Sequence, residues 1–115
     1  REAPSIDIIK RLTELGAKCY VYDPVATETA KAVLRDNSSV FFCDNDYDAV
    51  KGCDALFLVT EWTQFRNPDL QRIKELLSRP IVFDGRNQWN PDEMSSLGFE
   101  YFSIGRPDRV PEKVT

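Results

Sequence analysis

Ala55-Leu56-Phe57-Leu58-Val59 is an unbroken apolar run, with Asp54 before it and Thr60-Glu61-Trp62 after it. Its apolarity is continuous, not alternating. That pattern predicts a strand covered on both faces, as parallel sheets require. On its C-terminal side, Pro68 to Leu77 places Leu70, Ile73, Leu76 and Leu77 on one side of a helix. Arg79-Pro80 ends that helix, and Ile81-Val82-Phe83 reads as the next strand. Asp92 to Leu97 is a short helix stopped by Gly98, and Phe99 to Ser103 is a final strand. On the N-terminal side, Asp46 to Val50 is a short helix and Val40-Phe41-Phe42 a strand. Ala26, Ala30, Val33 and Leu34 form a weaker helix behind Asp23-Pro24, a cap followed by proline at the first helical position. Cys19-Tyr20-Val21-Tyr22 is rich in strand formers. Ser5 to Leu15 carries Ile6, Ile8, Ile9, Leu12 and Leu15, with Pro4 at its entry and Gly16 fitting the position just past its end.

Five strands alternating with helices predict an α/β fold with a doubly wound parallel sheet and right-handed crossovers. The length of 115 residues fits one domain. Residues 1–105 carry the alternating pattern. The polar segment 106–115, with Pro107 and Pro111, reads as a loose tail. The chain opens on a helix, whereas a doubly wound unit opens on its central strand. Either the domain is truncated before its first strand or the opening helix packs in another way. A sheet without its central strand exposes two unpaired edges, which predicts a marginal fold or pairing with another chain.

Composition narrows the function classes. Fifteen Lys and Arg against nineteen Asp and Glu leave a formal charge of −4, which does not suit a polyanion-binding surface, so no nucleic-acid partner is expected. No apolar stretch approaches the roughly 18 residues of a membrane helix, and there is no secretory signal. The start at Arg1, without methionine, reads as a processed or excised piece. Cys19, Cys43 and Cys53 are odd in number and contain no C-x-x-C pair, which argues against a disulfide framework or a zinc site. Each lies in or beside an apolar run and is expected to be a buried, inert thiol. Free thiols and the lack of a signal point to the cytoplasm. Histidine is absent, so neither a Ser-His nor a Cys-His nucleophile can be assembled.

The candidate site is the segment Asp84-Gly85-Arg86-Asn87, which follows the strand Ile81-Val82-Phe83. In open parallel sheets ligands bind beyond the carboxyl ends of the strands. Arg86 there can grip a phosphate with two parallel hydrogen bonds, with Asn87 as a further donor. The plainer alternative is a tight turn with a surface ion pair from Arg86 to Asp84 or Glu61. Asp23 ends a strand, as a ribose-binding acid does, but no G-x-G-x-x-G loop accompanies it, and a helix cap fits better. Trp62 can stack on a base or cover the core. Asp44, Asp46 and Asp48 begin like a calcium loop, but the glycine and the distal glutamate are missing, so they read as a solvated helix start.

Five blocks together resemble the C-terminal domain of the UDP-glucose/GDP-mannose dehydrogenase family. They are Arg1-Glu2-Ala3-Pro4, Val21-Tyr22-Asp23-Pro24, Asp54 to Trp62 with Phe65, Phe83 to Asn87, and Gly98 to Gly105. Their order and spacing are more specific than any one of them. Thr60-Glu61-Trp62 leans towards the UDP-glucose branch. The resemblance implies a Rossmann-like domain that binds the UDP portion of a nucleotide sugar. Enzymes of the family oxidise the sugar C6 alcohol in two NAD-dependent steps, with other domains that bind NAD and join subunits into a homo-oligomer. By the same resemblance Arg86 contacts the UDP-sugar, and Arg1 reaches the NAD side. The family usually has serine where this chain has Ala3. The glycine-rich NAD loop and the glycine-flanked catalytic cysteine motif are both missing, and the domain's first strand would lie upstream of Arg1. The isolated chain is therefore expected to be inactive, with no membrane partner. The alternative from a different class is a non-catalytic α/β protein-interaction domain, with Trp62 and Phe65 in its contact patch.

Overall fold

The computed structural model describes residues 4–23, 28–59 and 69–103. Contacts divide the chain into two compact units, Arg1–Ala49 and Val50–Thr115. The first contains α1 (Pro4–Glu14), β1 (Cys19–Val21), α2 (Glu28–Leu34), β2 (Val40–Phe42) and all of α3 (Asp46–Val50) but its last residue. Asp7 in the first turn of α1 and Arg11 in its last suit the helix dipole. The helix ends as its glycine predicts. Gly16 takes φ +96°, its N–H reaches the Thr13 carbonyl, and the Ala17 N–H reaches that of Leu12. These two bonds satisfy carbonyls that a helix end otherwise leaves open. Ile6 is buried, but Leu15, expected on the same stripe, lies beyond the last helical residue and is 69% exposed. β1 and β2 pair in parallel, Cys19 opposite Val40 and Val21 opposite Phe42. Tyr20 and Phe41 stack across the pair at 5.0 Å. The cap of α3 is Asn45, whose Oδ1 accepts the Asp48 N–H at 2.9 Å.

The second unit contains β3 (Leu56–Leu58), α4 (Leu70–Leu76), β4 (Ile81–Asp84), α5 (Pro91–Ser96) and β5 (Glu100–Ser103). Its three strands are all parallel in the order β3-β4-β5. Asp69 caps α4 by accepting the Arg72 N–H, and Asn90 caps α5 by accepting those of Asp92 and Glu93. Pro91 then sits where a helix needs no N–H donor. The strand period of two sorts the sheet faces. Leu58, Val82, Asp84 and Tyr101 occupy buried positions of one face, and Ile73, Leu77, Met94 and Phe99 complete the unit's core. Phe57, Phe83 and Phe102 lie in register on the other face and stack at 4.7 and 5.1 Å. Phe83 remains 37% exposed, so the double coverage expected of β3 holds only in part: Leu58 is buried and Phe57 half-buried.

The parallel α/β architecture agrees with the expectation. The strands make a pair, β1-β2, and a triplet, β3-β4-β5. In the doubly wound dinucleotide-binding order the opening strand lies between the second and the fourth. Among the described residues no strand precedes α1. The thiols of Cys19, Cys43 and Cys53 are half-buried, whereas full burial was expected. Among the described residues no helix is long and apolar enough to cross a membrane.

Candidate functional site

β4 delivers the candidate site. Val82 and Asp84 share its covered face, so the strand ends by pointing a carboxylate into the interior. Asp84 is 1% exposed. A buried charge of this kind persists only when its oxygens are hydrogen-bonded. Oδ1 accepts the Arg86 N–H at 2.9 Å. Oδ2 accepts the N–H groups of Gln88 at 2.8 Å and Trp89 at 2.9 Å. The Tyr101 hydroxyl, fully buried on β5, donates to the same oxygen at 2.5 Å and lies 2.9 Å from the Trp89 carbonyl. The Gly85 N–H extends the ladder by one step, donating to the Leu58 carbonyl at 2.7 Å.

The chain from residue 85 to 89 therefore wraps around one carboxylate. Asn87 at its apex takes φ +54°, a left-handed conformation that asparagine tolerates better than most residues. Arg86 and Asn87 are exposed, while Trp89 turns back into the core. A permanently charged, planar donor thus stands at the carboxyl end of a parallel sheet, where the fold places ligands. The turn beneath it is not an ordinary surface turn, and Asp84 is not a surface partner.

The other sequence candidates fare differently. Arg1, Pro24, Thr60, Glu61, Trp62, Phe65 and Pro68 lie outside the described residues, as does the tail 106–115. The contact patch built on Trp62 and Phe65 and the ion-pair alternative through Glu61 lie there too. Asp23 is half-buried at the end of β1, but the residues it was expected to cap are among those not described. Asp44 before α3 and Asp48 within it are exposed, Asp46 at its start is half-buried, and among the described residues no acidic or cysteine cluster could hold a metal ion. Burial pushes the Cys19 thiol above its usual range. Burial, then the charges of Asp48 and Asp44, do the same for Cys43. Both thiols stay protonated near neutral pH, as poor nucleophiles.

Sequence reasoning missed Trp89 and Tyr101. A signal was present for the first step. Strand alternation from Val82 puts Asp84 on the covered face, and a carboxylate there demands donors. Nothing local names Tyr101 as one of them.

The family model for the UDP-glucose/GDP-mannose dehydrogenase family, UDP binding domain, matches residues 1–91. The chain is 43% identical over 110 residues to the UDP-glucose 6-dehydrogenase of Pseudomonas aeruginosa, covering 93% of this chain and 24% of that protein. It is 39% identical over 107 residues to UDP-glucose 6-dehydrogenase TuaD of Bacillus subtilis, covering 93% and 23%. The chain thus spans about a quarter of the length of these relatives. Among solved structures, the UDP-D-ManNAc dehydrogenase of Pyrococcus horikoshii superposes with a TM-score of 0.53 at 18% identity, over 86% of this chain and 29% of that one. An NDP-N-acetyl-D-galactosaminuronic acid dehydrogenase of Methanosarcina mazei gives 0.54 at 19%, over 89% and 28%. At such identities these two similarities speak to the fold alone.

Proposed function

The chain belongs to the UDP-glucose/GDP-mannose dehydrogenase family, matching its UDP binding domain, and on that premise we propose that it binds the UDP-sugar of a cytoplasmic UDP-glucose 6-dehydrogenase. The observation that carries the reading is the exposed Arg86 at the carboxyl end of β4, on a turn pinned from below by Asp84. Its guanidinium would hold the diphosphate with parallel charge-assisted hydrogen bonds, and Asn87 would donate beside it. Relatives named UDP-glucose 6-dehydrogenase that align over more than nine-tenths of this chain support that choice of sugar nucleotide.

The described residues do not fit a dinucleotide. Among them no G-x-G-x-x-G turn joins a strand to a helix, and the one glycine after a strand, Gly85, leads into the Arg86 turn. No step through NAD is assigned to them. In the proposed enzyme NAD would be the hydride acceptor, and Arg1 is the one residue of this chain proposed to reach it. The remaining domains of that enzyme, and a further copy of it in a homo-oligomer, are the proposed protein partners. This chain alone would bind without catalysing.

Titration of the isotopically labelled chain with UDP tests the reading. Backbone resonances of residues 84 to 89 are expected to shift, and Arg86→Ala to weaken binding by about 1.5–3 kcal/mol. Unchanged affinity in Arg86→Ala would refute the assignment.

A further inference from the structure

We propose that Asp84 is a positioning residue. Its buried carboxylate holds the turn 85–89 in the shape that presents Arg86 and Asn87, with Tyr101 anchoring it from β5. The proposal rests on the reading of Arg86 as the phosphate-binding group.

The hydrogen bonds carry the argument. Three of the four donors on Asp84 are backbone N–H groups of one turn, from Arg86, Gln88 and Trp89. Backbone donors cannot rotate independently of the chain. Satisfying the carboxylate is therefore the same event as fixing the turn. A turn need not be built this way, since the Gly85 bond to Leu58 already closes the strand end. The Arg86 N–H is one of the three, so the Cα from which the guanidinium extends is set directly by Asp84. Asn87 is held on both sides, by Arg86 and Gln88, and a left-handed residue persists where its surroundings over-determine it. The fourth donor arrives from 17 residues away and makes the neighbouring strand part of the device. Arginine loses much side-chain freedom on binding, and a backbone fixed beforehand reduces the total ordering cost.

Asp84→Asn and Tyr101→Phe separate the possibilities. Asparagine keeps the shape but turns an NH₂ group towards one set of donors. Phenylalanine keeps the ring and removes a single donor. Both variants of the 115-residue chain, with Arg86→Ala and Asp84→Asn/Arg86→Ala, are titrated with UDP, and amide hydrogen exchange is measured at Arg86, Gln88 and Trp89. The β4 amides serve as the folding control. Asp84→Asn is expected to weaken UDP binding about tenfold or more, and Tyr101→Phe several-fold. In both, the three turn amides lose protection while those of β4 keep theirs. Asp84→Asn is expected to cost clearly less once Arg86 is gone, since only the Asn87 contact then remains to be lost, a coupling that a general loss of structure would not produce. UDP affinity unchanged in both folded variants overturns the proposal, and so does an equal loss with and without Arg86. Should Asp84→Asn fail to fold, Tyr101→Phe decides by the same readouts. If the unmodified chain does not bind UDP, the functional reading fails. Amide exchange then decides the positioning claim, and protection retained in both variants overturns it.

Discussion

Gly98 joins α5 to β5, and its replacement by alanine makes a demanding test of the second unit. The residue has φ +93°, where an L-residue costs about 1–2 kcal/mol. A Cβ there would also sit 2.6 Å from Lys74 Nζ and 3.3 Å from its Cε. Lys74 is flexible and can withdraw, but withdrawal breaks its bond to the Leu97 carbonyl, 2.7 Å and partly buried. A hydrogen bond from a charged group contributes about 1.5–3 kcal/mol, and replacement by water at a half-buried site recovers part of it. Gly98→Ala is therefore expected to cost about 2–3 kcal/mol, the strain plus roughly 1 kcal/mol for the displaced ammonium. Urea unfolding followed by amide exchange at Val82 and Tyr101 measures this within the affected unit. A double-mutant cycle apportions it. In a Lys74→Ala background the same glycine substitution should cost only the strain, about 1–2 kcal/mol, leaving a coupling near 1 kcal/mol. An equal cost in both backgrounds, or a loss below about 0.5 kcal/mol, would refute the reasoning.

Asn90→Ala removes the acceptor for two amides at the start of α5, and a stability loss of about 0.5–2 kcal/mol is expected in the same unfolding experiment. Met94→Ala empties a site with no solvent exposure and should cost about 2–5 kcal/mol. Phe83→Ala, on the half-open face, should cost clearly less than Met94→Ala. The raised thiols give a pH dependence with a definite sign. Folded Cys19 and Cys43 hold their protons more tightly than the unfolded chain does, so their contribution is complete below the ordinary thiol value, about 8.5, and is lost as pH rises above it. Urea midpoints at pH 7.5 and 10 should show this loss, and a Cys19→Ala/Cys43→Ala variant should lose less. Asp48→Asn should speed alkylation of Cys43 at pH 8 and leave Cys19 unchanged.

Local chemistry alone determined the order of the elements and most of their ends. Helix α1 with the left-handed Gly16 behind it, the break at Pro80 and the glycine stop at Gly98 all act within about one turn of chain, and the sequence displays them directly. The order and spacing of the five blocks, Phe83 to Asn87 among them, likewise carry the family resemblance in the sequence itself. Pairing was decided elsewhere. That β1 pairs with β2, and that β4 lies between β3 and β5, depends on which strand edges meet, a long-range choice that apolar runs do not encode. The inward turn of Asp84, and its capture by a tyrosine hydroxyl from β5, belongs to the same class. Composition and spacing can place an arginine beyond a strand. Only the folded chain supplies the four donors that make its carboxylate neighbour tolerable in the interior, because three of them exist in the right place only once the turn has closed.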